Sequence, residues 1–84
     1  MSVDPQYILV GMDVVGSDGE GVGTVKEVRT TDILVDRPLA RDVYVPLEAI
    51  QAIVDASATH AVNPHVLLTV RADSVGDMGW PHPG

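Results

Sequence analysis

Short runs of Val, Ile and Leu, each closed by Gly, Pro, Asp or Thr, recur along most of the chain. Runs so short and so rich in β-branched residues predict strands, because branched side chains suit a pleated, half-buried surface. Residues 1–6 read as an N-terminal arm, and Tyr7-Ile8-Leu9-Val10 as an extended lead-in over one end of the core, ended by Gly11. Met12-Asp13-Val14-Val15 predicts a first strand, and the cluster Gly16-Ser17-Asp18-Gly19-Glu20-Gly21 turns it into a hairpin. Val22, Val25 and Val28 then recur at every third position, which matches neither strict alternation nor a full helical stripe. Gly21, Gly23 and the β-branched residues disfavour a helix, so a second strand is expected, with a bulge near Lys26-Glu27 that lets Val25 and Val28 both face inward.

Thr30-Thr31 leads into Asp32-Ile33-Leu34-Val35-Asp36, a third strand with acidic ends. The connection Arg37-Pro38-Leu39-Ala40-Arg41 precedes a fourth, Asp42-Val43-Tyr44-Val45, in which Val43 and Val45 share one face and Tyr44 takes the other. Pro46 cannot donate to a ladder, and Pro46-Leu47-Glu48-Ala49-Ile50 has the spacing of one helical or 3₁₀ turn, which places a corner there. Gln51-Ala52-Ile53-Val54-Asp55 fits a fifth strand or a longer helix equally. Residues 56–64 read as a loop, His65-Val66-Leu67-Leu68-Thr69-Val70 as a sixth strand, residues 71–78 as a short C-terminal helix, and Trp80-Pro81-His82-Pro83-Gly84 as an extended tail. Six short strands bounded by turn chemistry predict an all-β fold, a small six-stranded barrel that is closed or nearly so. The whole of residues 1–84 forms one domain, with its core in about 10–70 and a tail in about 71–84.

Composition narrows the picture. Phe is absent, and Tyr7, Tyr44 and Trp80 are the three aromatic residues, so Val, Ile and Leu fill the core. Twelve Asp and Glu against five Lys and Arg give a formal net charge of −7, which repels phosphate backbones and anionic lipid and argues against nucleic acid as a partner. Without Cys there is neither a disulfide framework nor a thiolate metal site. The first residues carry no basic segment and no apolar run approaches the ~18 residues of a membrane span, so a cytoplasmic protein without membrane insertion is expected.

The order of motifs resembles that of the PRC-barrel group, and within it an uncharacterised bacterial domain-of-unknown-function family. The likeness is carried by Gly11-Met12-Asp13-Val14, the turn Asp18-Gly19-Glu20, Val22-Gly23-x-Val25-x-x-Val28, and Tyr44-Val45-Pro46-x-x-x-Ile50, and it covers about residues 10–70. It implies a PRC-type β-barrel used for docking within larger assemblies, and it implies no reaction. The chain lacks the membrane anchor and the additional domain of the group's better-known members, so no particular partner carries over.

Candidate chemistry is sparse. The glycines at 16, 19, 21 and 23 lack the spacing of a phosphate loop or a dinucleotide fingerprint, and Asp18 and Glu20 oppose a phosphate there. Asp13, Asp18 and Glu20 could gather around a hard cation, although not in the order of a Ca²⁺ loop. His60, His65 and His82 do not make a zinc site without Cys, and Ser17, Ser57 and Ser74 sit in turn or cap contexts without a base beside them. Asp32, Asp36 and Asp42 at strand ends are expected to cap turns or to pair with Arg37 and Arg41. Lys26, Arg29, Arg37 and Arg41 form the densest positive cluster, and Tyr, Trp and Arg dominate interface hot spots. Arg37, Arg41, Tyr44 and Trp80 are therefore the interface candidates. The expected function is a non-catalytic protein-binding or assembly module without a cofactor, self-associating into a homodimer or docking another protein. The alternative is a small-ligand or divalent-cation sensor using Asp13, Asp18 and Glu20.

Overall fold

A computed structural model describes residues 5–38, 40–54 and 64–83 of the chain. The six strands follow the predicted order: β1 Asp13–Val15, β2 Gly21–Val28, β3 Asp32–Asp36, β4 Val43–Pro46, β5 Ile50–Val54 and β6 His65–Leu68. Short 3₁₀ segments at Pro5–Tyr7, Leu47–Ala49 and Ala72–Asp77 complete the described elements. Residues 56–63 of the expected loop, with Ser57 and His60, lie outside the described residues.

All six strands belong to one sheet in the order β4-β3-β2-β1-β6-β5. Four neighbouring pairs are antiparallel, and β1 runs parallel to β6, with Val14 opposite Val66. The sheet is curled, but it is a half-barrel where a closed or nearly closed barrel is expected: β4 and β5 end it on opposite sides. The reason lies at the corner. Pro46 ends β4 without an N–H to offer, the chain swings through Leu47–Ala49, and the outward N–H of Tyr44 donates to the Pro81 carbonyl of the C-terminal tail (2.9 Å) instead of to another strand. The tail occupies the edge that closure would need.

The β2 bulge falls where the Val spacing places it. Register shifts between Val25 and Glu27 against β3, so Lys26 is the extra residue, Val25 is buried and Val28 packs against the core. Gly23 is fixed by a close approach. A Cβ there would collide with the Asp36 carbonyl and press on Val35, so any larger residue would pry β2 from β3. Gly19 closes the first hairpin at φ +82°, a region that side-chain-bearing residues seldom enter. Of the ambiguous residues 51–55, Asp55 lies outside the described residues, and for 51–54 the strand wins over the helix because Ala52, Ile53 and Val54 pair with Leu67, Val66 and His65, partners beyond the reach of local pattern. The C-terminal segment, expected as a short helix over residues 71–78, is a 3₁₀ helix over Ala72–Asp77, with Val75 as its buried anchor.

Val14, Val25, Ile33, Val35, Val43, Val45, Val66 and Leu68 fill the concave side of the sheet and are almost wholly buried. Ile8 plugs one end as the lead-in reading expects, while Leu9 and Val10 beside it remain exposed. The chain is short of aromatic volume, and branched aliphatics on every strand supply the packing in its place.

Candidate functional site

Three of the four interface candidates, Arg37, Tyr44 and Trp80, have local partners for their side chains. Tyr44 points away from the core, and the Arg29 guanidinium lies 4.2 Å above its ring centroid. Arg29 also grips Asp32 with two parallel bonds, from Nε to Oδ1 (2.6 Å) and from an Nη to Oδ2 (2.7 Å). That bidentate carboxylate contact raises the Arg29 pKa above its ordinary value. Lys26 Nζ donates to Asp42 Oδ2 at 3.0 Å, and this bond likewise raises the Lys26 pKa. Asp32 and Asp42 thus pair with Arg29 and Lys26, not with Arg37 and Arg41 as the sequence spacing suggests. The bulge explains the difference, because it advances the following residues of β2 by one position against β3. Arg37 Nε donates to the Arg41 carbonyl (2.7 Å) and braces the connection between β3 and β4, and Arg41 itself is exposed.

Trp80 is half-buried against the hydrophobic core. It anchors the tail at one end, the Pro81 carbonyl takes the Tyr44 N–H, and His82 Nδ1 donates to the Asp42 carbonyl at 2.7 Å. Three successive residues therefore strap the β4 edge. Pro81 and Pro83 have no N–H to turn outward, so the covered edge offers no new ladder.

The acidic turn is a structural joint. Asp18 Oδ1 accepts from the N–H groups of Glu20 and Ala72, both at 3.3 Å, and Arg71 stands 4.0 Å from Oδ2. Partial desolvation raises the Asp18 pKa, but the backbone N–H groups of Ala72 and Glu20, together with the Arg71 charge, outweigh it and leave the pKa below the ordinary aspartate value. The hairpin is thereby tied to the start of the C-terminal 3₁₀ helix. Asp13 lies elsewhere, on β1, beside Thr24 of β2. Among the described residues no group of three or more His, Asp or Glu side chains is arranged to hold a metal ion.

Open grooves among the described residues include one of about 500 Å³ over β1 and β2 between Asp13 and Asp36 and one of about 240 Å³ beside Arg37 and Pro38. Another, of about 390 Å³, is lined among the described residues by Tyr7, Leu9, Met12, Ile53, Val54 and Pro64, without a charged side chain. Tyr7, Leu9 and Val10 leave 64, 64 and 68% of their surface exposed, three of the four large hydrophobic residues so exposed among the described residues. Read from sequence as an extended lead-in over one end of the core, the segment gives no sign of a groove. The available signal is the unbroken run Ile8-Leu9-Val10 before Gly11, since one strand-like face can bury only alternate members.

The fold and these surfaces define a small domain built on one curled six-stranded sheet, with a strapped edge and an apolar groove. The bacterial conserved family described as an uncharacterized protein (DUF2171) matches residues 8–75, and the chain belongs to that family. Comparison with the curated proteins and with the solved structures finds no match. Among the described residues no helix is long and apolar enough to cross a membrane.

Proposed function

We propose that this domain is a docking module of the cytoplasm, a PRC-type barrel left open at one seam, that binds a protein partner and performs no reaction of its own. The observation that carries the reading is the exposed apolar segment Tyr7-Ile8-Leu9-Val10, of which Ile8 alone is buried, while Tyr7 and Leu9 line a groove with no charged side chain among the described residues. Exposed apolar surface gathered in one place marks contact sites on soluble domains. The PRC assignment is supported by the curled six-stranded sheet and by the corner at Pro46, which stands where the family-like Tyr44-Val45-Pro46 motif puts it.

Arg37, Arg41, Tyr44 and Trp80 belong to the proposal as a second contact region about the β4 edge. The internal partners of Arg37, Tyr44 and Trp80 make it the weaker claim, and the groove the stronger. The test is affinity capture from bacterial lysate with the tagged chain, at low and moderate salt, against Leu9→Asp and the double variant Arg37→Glu/Arg41→Glu. A stoichiometric protein that is retained by the wild type and lost with Leu9→Asp is the expected result. A partner indifferent to all three substitutions, or no partner and no self-association, would overturn the reading.

A further inference from the structure

We infer that the groove over β1 and β2 holds an extended basic-apolar-basic segment of a partner protein, whose two cationic side chains rest on Asp13 and Asp36. The site goes beyond the docking reading and shares no lining residue with the groove at Tyr7 and Leu9. Its geometry follows from strand register. Asp13 on β1 and Asp36 on β3 both stand opposite Thr24 of β2, so the three side chains leave one face of the sheet, while the buried Val14, Val25 and Val35 next to them in sequence take the other. Two strand spacings of ~4.8 Å place the backbones that carry the two carboxylates about 10 Å apart. The rest of the groove is apolar, with Val15, Val22 and Pro38 in its lining. Gly21 keeps it open: Gly21 is paired with Val15, and a Cβ there would stand in empty space.

Charge complementarity selects the occupant. Asp18, Asp32, Asp42 and Asp73 are each paired with an Arg or Lys, but Asp13 and Asp36, both exposed, join no ion pair among the described residues. Two cations stand near, and neither serves them. Lys26 is close enough for the Asp36 charge to favour its protonated form, yet its bond goes to Asp42. Arg37, in the adjoining groove, gives its Nε to the Arg41 carbonyl. A hard metal ion takes six or more oxygen ligands, and among the described residues no third His, Asp or Glu joins the two acids in such an arrangement. A Lys or Arg side chain fits the site better, because its aliphatic stem lies on apolar surface while its charged head reaches a carboxylate. In an extended segment, residues two apart are about 7 Å from each other, so two basic residues flanking an apolar one reach both acids. Small ligands favour pockets that enclose most of their surface, and this groove is open, which favours a chain segment over a free amine.

Chemical-shift titration of the intact chain with the acetylated and amidated peptide Lys-Leu-Lys tests this, with Glu-Leu-Glu and spermidine as comparison ligands. The expected result is saturable binding on the order of 1 mM, as for two exposed ion pairs and one apolar side chain. Added salt should weaken it, and the largest shifts should fall at Val15, Gly21 and Thr24. Asp13→Asn/Asp36→Asn should weaken binding about fivefold. Glu48→Gln/Asp77→Asn, an equal change of charge at exposed positions outside the groove, should leave it unchanged. Gly21→Val fills the groove without meeting another atom and should weaken binding at least as much as the Asn pair, so it decides the matter should that pair unfold. Unaltered thermal melts show which variants are folded. No saturable shift, shifts centred on Leu9 and Ile53, equal weakening by the two double variants, or equal binding of Glu-Leu-Glu or spermidine would overturn the inference. Leu9→Asp should leave this binding intact. Peptide binding here without Leu9-dependent capture would sink the docking reading alone, and the reverse would sink this inference alone.

Discussion

At the β4 edge the chain supplies its own cover: Tyr44 donates to Pro81, His82 donates to Asp42, and Trp80 sinks between the tail and the core. At the β5 edge Ile53 and Val54 share a groove with Tyr7 and Leu9, which are exposed along with Val10. The two ends of one sheet face the same hazard, a row of unpaired backbone groups. One end meets it with prolines and a tryptophan, the other with apolar side chains that invite contact. The difference separates the part of the surface that holds the fold from the part available for binding.

The comparison can be broken from either side. The largest effect is expected from truncation before Trp80, which removes the strap whole. Loss of the Trp packing and two hydrogen bonds should cost about 3 kcal/mol, lowering Tm by on the order of 15 °C in a domain of this size, and the bared edge should make aggregation concentration-dependent. Thermal melts and light scattering read both. Trp80→Ala should account for most of that, about 2 kcal/mol, since the ring is half-buried. His82→Ala should cost about 1 kcal/mol for its single bond to the Asp42 carbonyl. If the two single losses add to more than the truncation, the strap acts as a unit.

A pH titration sharpens the comparison at the joint between hairpin and C-terminal 3₁₀ helix. The folded Asp18 pKa lies below its ordinary value. Its stabilisation is therefore fully present above the ordinary aspartate pKa of ~3.9 and is lost as pH falls through the lower folded value. The stability difference between wild type and Asp18→Asn, measured by urea melts, should be constant from pH 7 to about 5 and shrink below about 4. A difference that grows on acidification would refute the assignment. The smallest expected effect is at the other edge. Leu9→Asp should change stability by less than ~0.5 kcal/mol, as for an exposed residue outside the core, and act on partner capture alone.

Much of the fold is legible in residue order. Turn chemistry at Asp18-Gly19, the Val spacing that requires a bulge at Lys26, and Pro46 at the corner each act within a few residues of themselves, and local sequence reports local physics. Residues 51–54 remain ambiguous because Gln-Ala-Ile-Val suits a helix or a strand, and pairing with β6 decides the matter from a distance. The open seam is hidden for the same reason. That Trp80-Pro81-His82 is extended can be read from its prolines, but that it lies on β4 depends on contacts about forty residues apart. The ion pairs miss their expected partners because a one-residue bulge shifts the whole far half of β2. The groove is hidden because a lead-in over the core does not by itself say which of its side chains are buried: Ile8 is, and Tyr7, Leu9 and Val10 are exposed.

The parallel pairing of β1 with β6 bears on how the molecule comes into being. Asp13 meets His65, so the centre of the sheet cannot be assembled until the chain has closed a loop of some fifty residues, whose ordering entropy must be met before the contact returns anything. Long-range pairing of this kind slows folding well below the rate of a simple hairpin stack. During synthesis β1 to β4 can form a meander early, yet β1 waits with one bare side for β6, and β4 waits for residues 80–82. The nascent chain is thus exposed at both margins until these residues emerge, and mutations in residues 64–83 should slow maturation more than equally buried changes in β2 or β3.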